Sequence, residues 1–275
     1  MKQVDSTGLR SRPVTVAVVA HKPYRVPDDD IYIPLHVGAA LHPDILTDWI
    51  GDDTGENISE SNPKYSELTG LYWLWKNDHA QYQGLVHYRR YFATASNITR
   101  LSSRDRYDRV IRKEELCELL STTDIVLPRR RNYYIETIRS HYAHTFPAEH
   151  LSVTRAILAS EAEEYVQTFD KVMGSTKAHM FNMFIMRRNL LDEYCTWLFP
   201  ILKELEERID DSGYSEFDMR YPGRVSEMLL DVWLYTNGYA YKELPVINAE
   251  PVNWFRKGGS FLLAKFARRK YSSSF

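Results

Sequence analysis

His87, Arg89 and Arg90 stand at the end of a short apolar run, Gly84-Leu85-Val86, interleaved with the rings of Tyr88, Tyr91 and Phe92. Guanidinium groups are costly to bury unless paired, and arginine matches phosphate bidentately. In open α/β sheets, ligands sit beyond the carboxyl ends of the strands. A strand that delivers two arginines at its carboxyl end is therefore read as a diphosphate site. The competing reading pairs Arg89 and Arg90 with surface carboxylates. A second apolar run, Asp124 to Pro128, ends at once in Arg129, Arg130 and Arg131. This strengthens the anion reading, with a solvated charge run as its equal competitor.

Other residue groups carry chemistry of their own. His21 and Lys22 follow the first apolar run, where a doubly wound domain begins its nucleotide site. Gly51 to Pro63 is a loop rich in Gly, Asn and Ser that runs into a helix, and the free N–H groups of such a helix start can hold a phosphate or a sugar hydroxyl. Asp53, Asn57, Ser59 and Asn62 are its candidate ligand contacts. They are equally suited to closing turns, and Asn62 is better placed as N-cap, with Pro63 the first helical residue. Asp28-Asp29-Asp30 reads as a solvated turn before a metal site. His141, Tyr142 and His144 could touch ligand, but the histidine spacing is a poor metal motif. His179 and Asn182 interrupt the apolar stretch 178–186 and read as a pocket wall. Arg224, Glu227 and Asp231 form a polar stripe on a late helix. Glu227 is a candidate general base, against an Arg224–Glu227 surface ion pair.

The elements that must position these groups follow from periodicity. Val14 to Ala20 is a continuous β-branched run, as in a central parallel strand buried on both faces. Tyr65, Leu68, Leu71, Tyr72 and Trp75 mark one helix face, and strand 83–88 leads to the arginine corner. Residues 93–111 read as loop, 112–121 as helix and 132–176 as largely helical. Leu190 to Ile209 has helical period, with Pro200 expected to kink or restart it. A helix from about Pro222 and a strand near 240–246 complete the pattern.

Composition narrows the class. The 275 residues are 44% hydrophobic, enough for one large α/β domain or two small ones. A formal charge of −2 argues against a nucleic-acid partner. Residues 251–275 hold six Lys and Arg and no acid, which leaves −8 on the rest of the chain. With Trp254, Phe255, Phe261 and Phe266 among those cations, the segment suits an anionic membrane surface. Cys117 and Cys195 lack metal or CxxC spacing and read as reduced thiols. Residues 1–13 read as a disordered leader, and no apolar run approaches the ~20 residues of a membrane span. The expectation is a cytoplasmic protein, peripheral on the inner face of the cell membrane if the tail binds lipid.

The text of the chain also resembles a known family. HKPY, TGENIS, NPKYSELTGLYWLWKN, GLVHYRRYF, DIVLP, HMFNMFIM, CTWLFPIL and GRVSEMLL, in this order, look like bacterial capsular and exopolysaccharide biosynthesis proteins. That family was long described only as a domain of unknown function and is grouped with GT-A glycosyltransferases. The resemblance covers about residues 14–248 and implies a single GT-A-like α/β domain over 14–250. It would have a Rossmann-like nucleotide-sugar half (14–130) and a mostly helical acceptor half (131–250). It implies sugar transfer to a growing glycan, with UDP-galactofuranose the donor of some relatives. GT-A enzymes typically carry Asp-x-Asp at a mid-chain strand end to hold a divalent ion, Mn²⁺ or Mg²⁺. Here that strand ends in His87-Tyr88-Arg89-Arg90, so metal-independent transfer is expected, with Asp52 and Asp53 as the carboxylates that would speak against it. His21, Lys22, Asp53, His87, Arg89 and Arg90 would hold the nucleotide diphosphate, Glu227 would deprotonate the acceptor, and His179, Asn182 and Arg224 would line the acceptor side. The rivals are a non-catalytic nucleotide- or glycan-binding subunit of a polysaccharide assembly complex and a nucleotide-sugar hydrolase.

Overall fold

The computed structural model describes residues 12–250. In chain order, β1 (Val14–Ala20), β2 (Tyr32–His36) and β3 (Ile50–Gly51) precede α1 (Asn62–Tyr65) and α2 (Leu68–Asn77). Next come β4 (Tyr82–His87), β5 (Arg90–Phe92), α3 (Asn97–Ser102), α4 (Lys113–Leu120), β6 (Ile125–Pro128) and β7 (Arg131–Asn132). Helices α5 (Ile138–Ala143), α6 (Glu149–Glu161) and α7 (Val166–Gly174) lead to β8 (Lys177–Ala178) and β9 (Phe184–Arg187). The described chain closes with α8 (Arg188–Arg208), α9 (Tyr221–Asn237), β10 (Lys242–Leu244) and β11 (Val246–Asn248).

The main sheet runs β10-β6-β9-β4-β1-β2-β3, and β5 pairs with both β4 and β11 off this path. β3, β2, β1 and β4 are mutually parallel, whereas β9 enters antiparallel between β4 and β6. The β-branched run of β1 is buried at every position because both faces of the sheet are covered. Ala17 and Val19 pack into a larger core with α2, α8 and α9, and Val14, Val16, Val18 and Ala20 into a smaller one with α4 and β5. α2 approaches closely at Gly70, where a Cβ would come within 2.6 Å of Val19 Cγ1 and 2.9 Å of Val37 Cγ1.

Several expectations are corrected. The segment 93–111 is not all loop: Ser96 caps α3 by accepting from the Thr99 N–H, and a 3-10 turn follows at Tyr107–Arg109. Asn62 is not an N-cap but the first residue of α1, without a capping hydrogen bond. Its Nδ2 instead donates to Ser66 O at 2.8 Å and Thr69 Oγ1 at 3.1 Å. The helix expected from Pro63 through Trp75 is broken at Ser66, whose φ is 53°. At that break Gly223 of α9 meets the chain, a Cβ there falling 3.2 Å from Tyr65 O. Pro200 lies inside α8 and does not restart it, the helix running on to Arg208. The last strand is two short ones, β10 and β11. The stretch 178–186 is split by a turn in which Phe181 and Asn182 both adopt positive φ, 82° and 49°. Residues 1–11 and the basic segment 251–275 lie outside the described residues. Among the described residues, no helix is long and apolar enough to cross a membrane.

Candidate active site

A cleft of about 570 Å³ opens at the carboxyl ends of β1 and β4, within the range of small-molecule pockets. Ala20, His21, His87 and Arg89 come from the two strand ends; Asn62, Ser66 and Glu67 from the broken helix; Glu216 and Arg220 from the turn before α9. The arginine corner is a tight hairpin, for His87 pairs directly with Arg90 across a two-residue turn. Arg89 therefore sits at the exposed tip, while Tyr88 is buried. The Tyr88 ring gathers the cations: Lys22 Nζ lies 5.5 Å and the Arg89 guanidinium 5.2 Å from its centroid.

Arg89 and Arg220 line the cleft together with Glu67 and Glu216, and Lys22 lies beside Arg89 on the Tyr88 ring. Burial, aided by Arg90, Arg89, His21 and Arg220, pushes His87 down to about 2, so it is neutral at physiological pH. Its Nδ1 accepts the Arg89 N–H at 3.3 Å. His21 is lowered by burial and then by Lys22, Arg220 and Arg89. Arg220 is half-buried, its Nε donating to Ser66 Oγ at 2.9 Å, and burial lowers its pKa. Such a cluster is what an anion would relieve.

A second cluster adjoins the cleft through Glu67. Asn182 Nδ2 donates to Glu67 Oε1 at 2.9 Å and to Gly223 O at 3.1 Å, and Ser226 Oγ donates to Asn182 Oδ1. One residue earlier, the Phe181 N–H donates to Glu227 Oε2 at 3.0 Å. The left-handed pair Phe181–Asn182 thus serves two carboxylates at once. Glu227 is raised by burial, against the opposing pull of Arg224, and nearby Glu67 raises it further. Arg224 Nη1 lies 3.5 Å from Glu227 Oε1. The pair exists, but both side chains are largely buried, which corrects the expected surface ion pair. Arg90 stacks over Phe181 at 4.3 Å and feels both glutamates.

The structure brings together His21, Asn62, His87 and Arg89 around the cleft, with Lys22 beside them on Tyr88. Arg90, Asn182, Arg224 and Glu227 form the neighbouring cluster. Asp53, Asn57 and Ser59 are not among the cleft's lining residues. Asn57 Nδ2 bridges Asp53 O and Gly55 O, and Ser59 Oγ donates to Asp52 while accepting from the Ala40 N–H. Asp52 is fully buried and accepts from Gly38 N and Ala39 N at 3.0 Å, so it fastens the loop after β2. His179 is also fully buried, held between Asp231 at Nδ1 and Glu243, 3.0 Å from Nε2. His141 and His144 both face Glu136, at 2.9 and 3.1 Å. Glu67 and Arg220 were missed. Glu67 lies mid-run in an apparently continuous helix, and nothing at Arg220 marks it as more than a helix-flanking cation.

At the end of β4, His87 is flanked by two guanidinium groups, which cannot ligate a divalent ion, and the cleft's carboxylates, Glu67 and Glu216, come from other segments. Asp52 is committed to three donors in the loop. Among the described residues, no three His, Cys, Asp or Glu side chains form a group that could hold a metal ion.

Comparison with known proteins defines the class. Residues 15–238 match a family described as Domain of unknown function (DUF4422), and the chain belongs to that family. No curated protein gives a significant match. Among solved structures, the chain is similar to one titled the WbbM bifunctional glycosyltransferase in its apo form, at 28% identity and a TM-score of 0.80. The similarity covers 87% of this chain and 46% of that one, so the chain spans about half the length of its structural relative. The architecture is accordingly a GT-A-like α/β fold.

Proposed function

We propose that this protein is a glycosyltransferase that moves a sugar from a nucleotide-sugar donor to a glycan acceptor. The observation that carries the reading is the cleft at the carboxyl ends of β1 and β4, with Arg89 and Arg220 on its walls. It lies in a fold shared, at 28% identity, with part of a protein titled a glycosyltransferase. Arg89, Arg220, Lys22 and His21 counter the diphosphate, and neutral His87 contributes a hydrogen-bonding edge rather than charge. In the reaction, the acceptor oxygen bonds to the anomeric carbon, the bond from that carbon to the diphosphate oxygen breaks, and the nucleoside diphosphate leaves with the electron pair. Guanidinium groups aimed at the departing diphosphate stabilise the charge that develops there, so the transfer proceeds without a metal ion.

Glu227 takes the acceptor proton, and the configuration inverts. Burial raises its carboxyl towards the range useful for a general base. Asn182 and Arg224 fix the acceptor side around it, and His179 supports the turn from beneath. A second assignment of the base, to Glu67, rests on one observation: Glu67 borders the cleft and Glu227 is not among its lining residues. The finer reading takes UDP as the nucleotide, with galactofuranose as the donor sugar. The acceptor is a capsular, exopolysaccharide or lipid-linked glycan, met at the cytoplasmic face of the membrane through residues 251–275.

The test is incubation of the purified protein with UDP-sugars, with and without glycan acceptors, reading both UDP release and glycan product. Release that requires acceptor supports transfer. Release without acceptor makes the protein a hydrolase. Ligand binding without turnover in either condition leaves a binding subunit.

A further inference from the structure

Beyond the transfer reading, we propose that α3, together with the segment 103–109 that follows it and reaches β11 through Arg106, forms a docking face for an anionic lipid bilayer. Ile98 and Leu101 are 80% and 86% exposed, the two most exposed large aliphatic side chains among the described residues. They stand three apart on α3, so they share one face. Residues 97–109 carry Arg100, Arg104, Arg106 and Arg109 against Asp105 and Asp108. Asp105 is itself engaged by Arg25 at 2.7 Å. An apolar pair set among cations complements a bilayer whose surface is negative.

The end of the described chain lies against the same segment. Arg106 Nη1 donates to Asn248 O at 3.0 Å and reaches Glu250 O at 3.5 Å. The sequence then continues through Trp254, Phe255, Arg256 and Lys257. Two apolar side chains alone give marginal binding, and stable anchoring takes a second signal. The aromatic and basic sequence that follows residue 250 supplies it. β11 pairs with β5, and the Ala249 N–H donates to Arg89 O at 2.9 Å. Arg89 borders the cleft, so the docking face adjoins the cleft mouth.

The experiment is co-sedimentation of the full chain with phosphatidylcholine vesicles and with vesicles containing one-quarter phosphatidylglycerol. It needs neither donor nor turnover, so its failure leaves the transfer reading standing. The wild type is expected to sediment with the anionic vesicles only. The Ile98→Asp/Leu101→Asp variant is expected to bind at least tenfold more weakly, with an unchanged melting temperature because both positions are exposed. Arg268→Glu/Arg269→Glu is expected to weaken binding as well. Wild-type binding by the α3 variant would overturn the proposal, as would equal binding to neutral vesicles. It would also be overturned if the wild type bound no vesicle and formed a dimer that the α3 substitutions dissociate.

Discussion

Arg89 and Arg220 both line the cleft, one on a hairpin tip and one on the turn before α9. A charge-assisted hydrogen bond contributes about 1.5–3 kcal/mol, so either Arg→Ala change should weaken nucleotide diphosphate binding about tenfold to a hundredfold. Isothermal titration checks this directly. His21 offers a second reading of the same site. Its pKa is lowered by burial and by three neighbouring cations; a bound anion reverses that electrostatic pressure and favours the protonated ring. Binding should therefore take up a proton and tighten as pH falls through the His21 titration. Comparing calorimetric enthalpies in buffers of different ionisation heat measures the uptake. For the base, Glu227→Gln should lower kcat by on the order of 10² to 10⁴ while UDP still stabilises the protein. If Glu67→Gln shows that loss and Glu227→Gln does not, the roles exchange.

At the level of elements, what was legible followed from pattern strength. β1 and β4 are apolar runs buried on both faces, and the continuous core stripe of α8 was plain in its period. α3 was hidden because its six residues bury no stripe, and only the Ser96 cap marks it. The break at Ser66 and the left-handed pair Phe181–Asn182 carry no glycine to announce them. Both are imposed by tertiary contacts, one with α9 and the other with the two glutamates. The arginine corner was readable as a place for an anion because its residue types are costly to bury. Glu67 and Arg220 were not, since only the break and the turn bring them to the cleft. Gly70 tests how tightly α2 sets that wall: Gly70→Ala drives a methyl into Val19 and Val37. Overpacking of this kind should cost about 1–3 kcal/mol, measurable by urea denaturation.

For the whole molecule, buried neutral histidines tie stability to pH. His150 is fully buried between the hydroxyls of Tyr142 and Tyr214, and burial lowers it from 6.5 to about 4. Below pH 6.5 the unfolded chain takes up a proton that the folded one refuses. Stability present above that pH is thus lost as pH falls towards 4, by at most ~1.4 kcal/mol per unit for this group. His150→Gln should flatten that slope in denaturation curves taken between pH 7 and 5. The same chain must also recognise its ligand as one folded unit, and a ligand that binds only the folded state raises stability with the logarithm of its saturation. The most direct measurement is the melting temperature with increasing UDP, in EDTA, for the wild type and for Arg89→Ala/Arg220→Ala. The account predicts a rise in EDTA that grows with UDP and is absent from the double variant. A rise only with Mn²⁺, a rise undiminished in the variant, or no rise in either condition would contradict it.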